Sequence, residues 1–265
     1  MPVVKVETRE VSSYTGRMNK RIRPTHCYLC GEKLVEPTSV DHVPPLLFFP
    51  KEMRRRYNIS NLLTIPVHAA CNREWQEDEE YFVHTLLPMT GGSEAGDAHH
   101  IRIREKIKAG KNVFLVNQVM DEFKSVIKGV HLPANRVAKF IDHHRAYGVI
   151  WKIIRGLYFH HHGVILPKEW GMRYWITAPY EPPEPFFKDY ADSGRGVSRG
   201  EYPKIFSYFF DRFQPDGWDF HYWGFHLWDS LIVTAMFHDP WRCGCPVCQF
   251  VGPVFPESME GTVRA

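Results

Sequence analysis

The chain has 265 residues, 44% hydrophobic and 24% charged, which is enough apolar material for a sizeable core in one or two domains and too much for a disordered protein. Its formal net charge of +3 is too small to argue for nucleic acid by itself, so any basic surface must come from clustering. Six cysteines in short-spaced groups near the two ends suit metal ligands in a reducing cytosol better than a disulfide framework. The charged start MPVVKVETRE lacks the apolar run of a signal peptide, and no window reads as a membrane span, so the expectation is a cytoplasmic protein with no membrane partner.

Residues 1–24 read as a basic N-terminal arm carrying Arg17, Lys20, Arg21 and Arg23. A solvated end and a phosphate-contacting segment are both compatible with that composition.

Residues 25–92 carry the chemistry. Cys27-x-x-Cys30 can turn two thiolates toward one tetrahedral ion, and Gly31 can take the positive φ such a turn needs. His68-x-x-Cys71 supplies the matching pair, giving a Cys3His set for structural Zn²⁺; no strand-and-helix pattern of a redox CxxC surrounds it. Between the pairs stands Asp41-His42-Val43-Pro44. On an extended strand, neighbouring side chains face opposite ways, so a carboxylate could hold a divalent metal while the adjacent imidazole takes a proton from water. Taken alone, Asp41-His42 also fits a plain turn into a Pro-Pro segment. Arg54, Arg55 and Arg56 fall where a nuclease would grip a strand, or form one exposed helical turn.

The order Cys-x-x-Cys, Asp-His-x-x-Pro, Asn-Leu and x-x-Cys-Asn resembles the HNH endonucleases, whose ββα-metal core is often braced by a zinc ion between two knuckles. The resemblance implies that Asp41 binds a catalytic metal and that His42 is the general base. It implies too that Asn61 orients the base or its loop and that Asn72, at the start of a helix, is the second metal ligand. His68 departs from the family's more frequent Cys, and zinc accepts either donor. Oxygen ligands such as Asp41 and Asn72 suit Mg²⁺ or Mn²⁺, and a site with few protein ligands would also admit Ni²⁺ or Zn²⁺.

From Asn72 to about Leu87, Trp75, Tyr81-Phe82 and Leu86 fall near helical spacing, with Pro88 ending the helix and Glu77 to Glu80 read as mostly solvated surface. The Gly-rich stretch 90–100 reads as a domain boundary, with 93–265 forming an α+β C-terminal domain. The basic residues Arg102 to Lys111 either face nucleic acid or cover a helix. Residues Val113 to Val130, with β-branched residues mixed among Met, Lys and Glu, are ambiguous between strand and helix and are read as a strand pair. A long amphipathic helix is expected over about 134–160, after Pro133. Its KIIRGLYF run is similar to a stretch in one bacterial branch of HNH proteins. His160 to His162 read as cations at that helix's C-terminus, with a metal site as the alternative. After residue 170, aromatic and β-branched runs at 173–177, 204–210 and 218–237 predict a small antiparallel sheet, with a Pro- and Gly-rich loop at 178–199. Cys243, Cys245 and Cys248, with His238 nearby, could form a second zinc site or remain idle thiols.

The expected fold class is therefore α+β, a zinc-braced ββα-metal core followed by a helical and antiparallel β region. The expected function is a metal-dependent HNH endonuclease hydrolysing DNA, simplest as a homodimer if both strands are cut. The alternatives are an HNH nuclease acting on RNA and a non-catalytic zinc-dependent nucleic-acid-binding module.

Overall fold

A computed structural model of the chain describes residues 24–167, 170–177, 199–202, 204–213 and 220–238. The basic arm expected before Pro24, the loop expected over 178–199 apart from Arg199, and Cys243, Cys245 and Cys248 lie outside these residues. The chain folds as a mixture of helix and antiparallel sheet, the α+β class expected. No helix among the described residues is long and apolar enough to cross a membrane.

Two short antiparallel strands and a helix come first. Strand β1 (Thr38–His42) pairs with β2 (Thr64–His68) through Thr38↔His68 and His42↔Thr64, and the one-turn helix α1 (Lys51–Arg56) lies in the connection. Helix α2 (Ala69–Glu74) follows directly, with His68 as its N-cap, and α3 (Gln76–Leu86) continues after Trp75. The helix expected from Asn72 thus starts three residues earlier and is divided at Trp75, placing Asn72 in the fourth position of α2.

Past the Gly91-Gly92 turn, Ser93 caps α4 (Glu94–Lys108) by accepting from the Gly96 amide at 3.0 Å, so the second half of the Gly-rich stretch is helical. Helix α5 (Val113–Asp121) stands where a strand was expected. Asn112 at φ 62° starts it, and its apolar residues pack at helical spacing with Val119 buried, so tertiary contact with α3 overrides their β-branched composition. Only the remainder of that segment is extended, as β3 (Phe123–Lys124), β4 (Val126–Ile127) and β5 (Val130–His131), with β6 (Ala138–Lys139) pairing back onto β3. Lys128 and Gly129, both at positive φ, make the tight turn between β4 and β5.

The long helix α6 (His143–His162) begins nine residues after the expected position, because Asp142 caps it by accepting from the His144 and Arg145 amides at 3.1 and 3.2 Å. Gly163 at φ 66° ends it. The predicted sheet is present as β7 (Gly171–Thr177), β8 (Arg199–Tyr202), β9 (Phe206–Phe213), β10 (Phe220–Leu227) and β11 (Leu231–His238), antiparallel in the order β7-β11-β10-β9-β8. In the turn joining β10 to β11, Trp228 sits at φ 53°, a conformation costly for a bulky residue. It is fully buried there and donates its Nε1 to the Phe48 carbonyl at 3.0 Å, which fixes the sheet to the segment that follows β1.

One hydrophobic cluster takes residues from both sides of the Gly-rich stretch, from Cys27, Tyr28 and Phe48 to Ile150 of α6 and Trp223 of β10. Helix α6 lies against the β1-β2-α2 unit through one stripe, Gly148, Lys152 and Gly156, four residues apart. A Cβ at Gly156 would come within 2.7 and 2.8 Å of the two Val43 methyls, and one at Gly148 within 2.8 Å of the Trp75 ring. The glycines are therefore what lets the helix settle on the residue next to His42 and on the break between α2 and α3. Gly156→Ala is expected to destabilise the protein by about 1–3 kcal/mol through this overpacking, read as a lowered midpoint in urea unfolding with an unchanged m-value.

Candidate functional site

The four predicted zinc ligands converge. One ligand atom from each of Cys27, Cys30, His68 and Cys71 lies within 4.8 Å of all the others. Ligands about 2.3 Å from one zinc sit just under about 4 Å apart in a tetrahedron, so the set needs only a small contraction to fit. The local fold explains the approach. The knuckle turns through Gly31 at φ 86°, with the Gly31 amide donating to the Cys27 carbonyl at 2.8 Å, and the N-terminus of α2 presents His68 and Cys71 one turn apart. His68 turns Nδ1 toward the sulfurs, 3.3 Å from Cys30 Sγ and 3.8 Å from Cys71 Sγ, and its Nε2 lies 3.0 Å from the Lys33 carbonyl. The Val35 amide also donates to Nε2, at 3.2 Å, so the backbone on either side of that nitrogen holds the ring with Nδ1 facing the thiols. Burial, together with Cys27 and Cys30, pushes the Cys71 thiol up to about 12. Three thiols and an imidazole so placed are a donor set for zinc.

Asp41 and His42 do point to opposite faces of β1, but the carboxylate is not open. Asp41 is 3% exposed, Tyr28 donates its hydroxyl to Oδ2, and the Lys152 ammonium lies 2.9 Å from Oδ1. Lys152, 1% exposed, is held on its other side by Glu79, whose carboxyl burial pushes up in pKa against the opposing pull of the ammonium. Asn72 gives its amide nitrogen to Ser39 Oγ at 3.1 Å and to the Val40 carbonyl at 3.4 Å, tying α2 to β1. The expected metal pair of Asp41 and Asn72 therefore does not fit a divalent ion in this arrangement, because both Asp41 oxygens already have donors.

His42 lies half-buried on the other face, and no protein group hydrogen-bonds its imidazole among the described residues. Burial lowers its pKa from 6.5; Asp41 opposes this, and Arg54 and Lys152 add to it. The arginine triplet divides because it is helical rather than a loop. Arg54 stands near His42 with a buried Nε that lacks a hydrogen-bond partner among the described residues, Arg56 pairs with Glu94, and Arg55 is exposed. Asn61 is exposed in the segment before β2 and makes no hydrogen bond to His42 among the described residues. It lines a shallow cleft with Val43, His160, Tyr202 and Tyr208. His160 to His162 close α6, and His161 Nε2 lies 2.8 Å from the Tyr208 hydroxyl, so that imidazole serves packing between helix and sheet.

Three residues at this site were assigned no role by the motifs that contain or flank them: Tyr28, inside the knuckle, Glu79, in the acidic run, and Lys152, at the head of the KIIRGLYF run. The signal for Lys152 is a lone cation inside the apolar run Val149 to Ile154, a position that must be buried and therefore paired. The acidic run also differs from the solvated surface expected of it. Asp78 pairs with Arg145 at 2.6 Å, Glu79 with Lys152, and Glu80 with Lys106 at 2.8 Å, leaving Glu77 exposed. Its carboxylates point in different directions, as consecutive helical residues must, and three of them find separate cations.

Comparison with family models, with curated proteins and with solved structures found no match to this chain. If the clasp holds zinc, Cys71→Ala should lose the stoichiometric metal and unfold at a Tm lower by at least about 10 °C, because structural zinc contributes folding free energy directly. Elemental analysis and a thermal melt check both.

Proposed function

We propose that the chain is a zinc-braced endonuclease of the HNH kind, hydrolysing phosphodiester bonds in DNA with His42 as general base. The observation supporting this reading is the imidazole itself. It is free of protein hydrogen bonds, kept neutral by burial, and set beside the incompletely satisfied Arg54 guanidinium. A neutral imidazole accepts a proton from an attacking water, and a guanidinium neutralises charge on the phosphate under attack and fixes its position. Zinc in the Cys3His set holds the knuckle against α2 and leaves the hydrolysis to His42 and Arg54. Asn61 and Arg55, both exposed in the segment between β1 and β2, would line the path of the strand.

One observation favours a second reading, a zinc-dependent module that binds nucleic acid without cutting it. Asp41 is taken by Lys152 and Tyr28, so the metal that would assist hydrolysis has lost its expected carboxylate. Cleavage of supercoiled plasmid, single-stranded DNA and RNA by zinc-loaded protein, with and without added Mg²⁺, Mn²⁺ or Ni²⁺, separates the readings. His42→Ala is expected to slow cutting by about 10²–10⁴-fold with zinc content and Tm unchanged, since a general base contributes to rate without holding the fold. A wild type that binds these substrates and cuts none of them supports the module.

The pH profile is a second check. Because burial first, and then Arg54, hold the His42 pKa below 6.5, the base stays competent as pH falls through the ordinary imidazole range, and the acid limb of cleavage should lie below 6.5. Arg54→Gln removes one lowering charge, so that limb should move to higher pH while the rate falls.

A further inference from the structure

The cation at Asp41 is part of the chain. The Lys152 ammonium sits 2.9 Å from Asp41 Oδ1 and in contact with Glu79 Oε1, its side chain 1% exposed, while Tyr28 closes Asp41 Oδ2. Two carboxylates from different elements, β1 and α3, therefore converge on one nitrogen delivered by a third, α6. Two acidic side chains from separate elements closing on one point are the arrangement by which proteins gather a hard divalent ion, and here a lysine fills the point. Its delivery is built in: Lys152 lies between Gly148 and Gly156, whose missing side chains let α6 approach Trp75 and Val43 closely enough for the ammonium to reach β1. Arg155 secures the same register by donating Nη1 to the Leu29 carbonyl of the knuckle at 2.8 Å.

We propose that Lys152 is the resident cation of this site, occupying the position between Asp41 and Glu79 that a divalent ion would otherwise take, so that the protein works without a metal on Asp41. Lys152 is then a positioning residue: it fixes Asp41, and through β1 the neighbouring His42, and leaves phosphate binding to Arg54. The claim about the cation holds whether or not the chain cuts nucleic acid.

The test counts bound Mn²⁺ by electron paramagnetic resonance on full-length protein whose thiol site is first saturated with zinc, which soft thiolates prefer. Wild type and Asp41→Asn are expected to hold the same amount of Mn²⁺ up to millimolar concentration. Lys152→Met, which keeps the length of the side chain and removes its charge, is expected to gain one equivalent bound at least tenfold more tightly than by wild type, with a Tm that rises on adding Mn²⁺. A wild type that holds an equivalent lost in Asp41→Asn overturns the proposal, whatever the variant does. So does a folded, zinc-replete Lys152→Met that gains none. If Lys152→Met fails to fold, the wild-type and Asp41→Asn counts decide alone. A protein that cuts nothing would sink the nuclease reading and leave these counts as decisive as before.

Discussion

The ammonium of Lys152 joins three elements that are far apart in sequence. Asp41 on β1 lies 111 positions from it and Glu79 on α3 lies 73, and all three side chains are buried or nearly so. Taking charges out of water costs several kcal/mol each, and only close pairing offsets it, so each of the three is stabilised by its partners. That requirement locks the rotation and height of α6 against β1. It also locks the knuckle, because Tyr28 donates to the same aspartate and Arg155 reaches the next carbonyl.

The Cys3His cluster, which could hold a metal such as zinc, and the lysine cluster are two halves of one brace. Zinc would tie the knuckle to the start of α2, at the end of the β1-β2 pair where Thr38 meets His68. Lys152 ties the opposite end of β1, at Asp41, to α6. The strand is thus held at both ends by polar interactions and along its length by pairing with β2, and His42 is presented from a fixed backbone. The proposed role of His42 as a general base would need that rigidity, since proton transfer depends on a closely held heavy-atom distance.

What could be read from the sequence was what short spacing encodes. The Cys3His set was legible because each pair spans one turn of chain and the ion requires four donors, and the sheet after residue 170 because aromatic and β-branched runs alternate with Pro and Gly. The face of His42 opposite Asp41 followed from strand alternation alone. What could not be read depended on partners distant in the chain. Nothing near Asp41 announces that its counter-charge comes from α6, and nothing in three consecutive arginines shows that a helical turn will send one toward His42 and another to Glu94. Helix α5 is ambiguous in the sequence because three valines and a phenylalanine favour a strand among residues that do not, and contact with α3 decides for the helix. The start of α6 was misplaced because periodicity locates a helix better than it locates its cap, and Asp142 sets the boundary.

The two faces of β1 divide the chemistry. On the inner face every polar atom of Asp41 is satisfied, and the charges there hold the fold. On the outer face the half-buried His42 has no protein partner among the described residues, and Arg54 of α1, whose charge acts on it, has a buried Nε without one. An anion placed between them would gain charge-assisted bonds from the guanidinium and leave the imidazole free to act on water. The strand thus sets a saturated carboxylate next to a histidine with no protein partner among the described residues, and under the proposed function the first would hold the fold and the second would act on water.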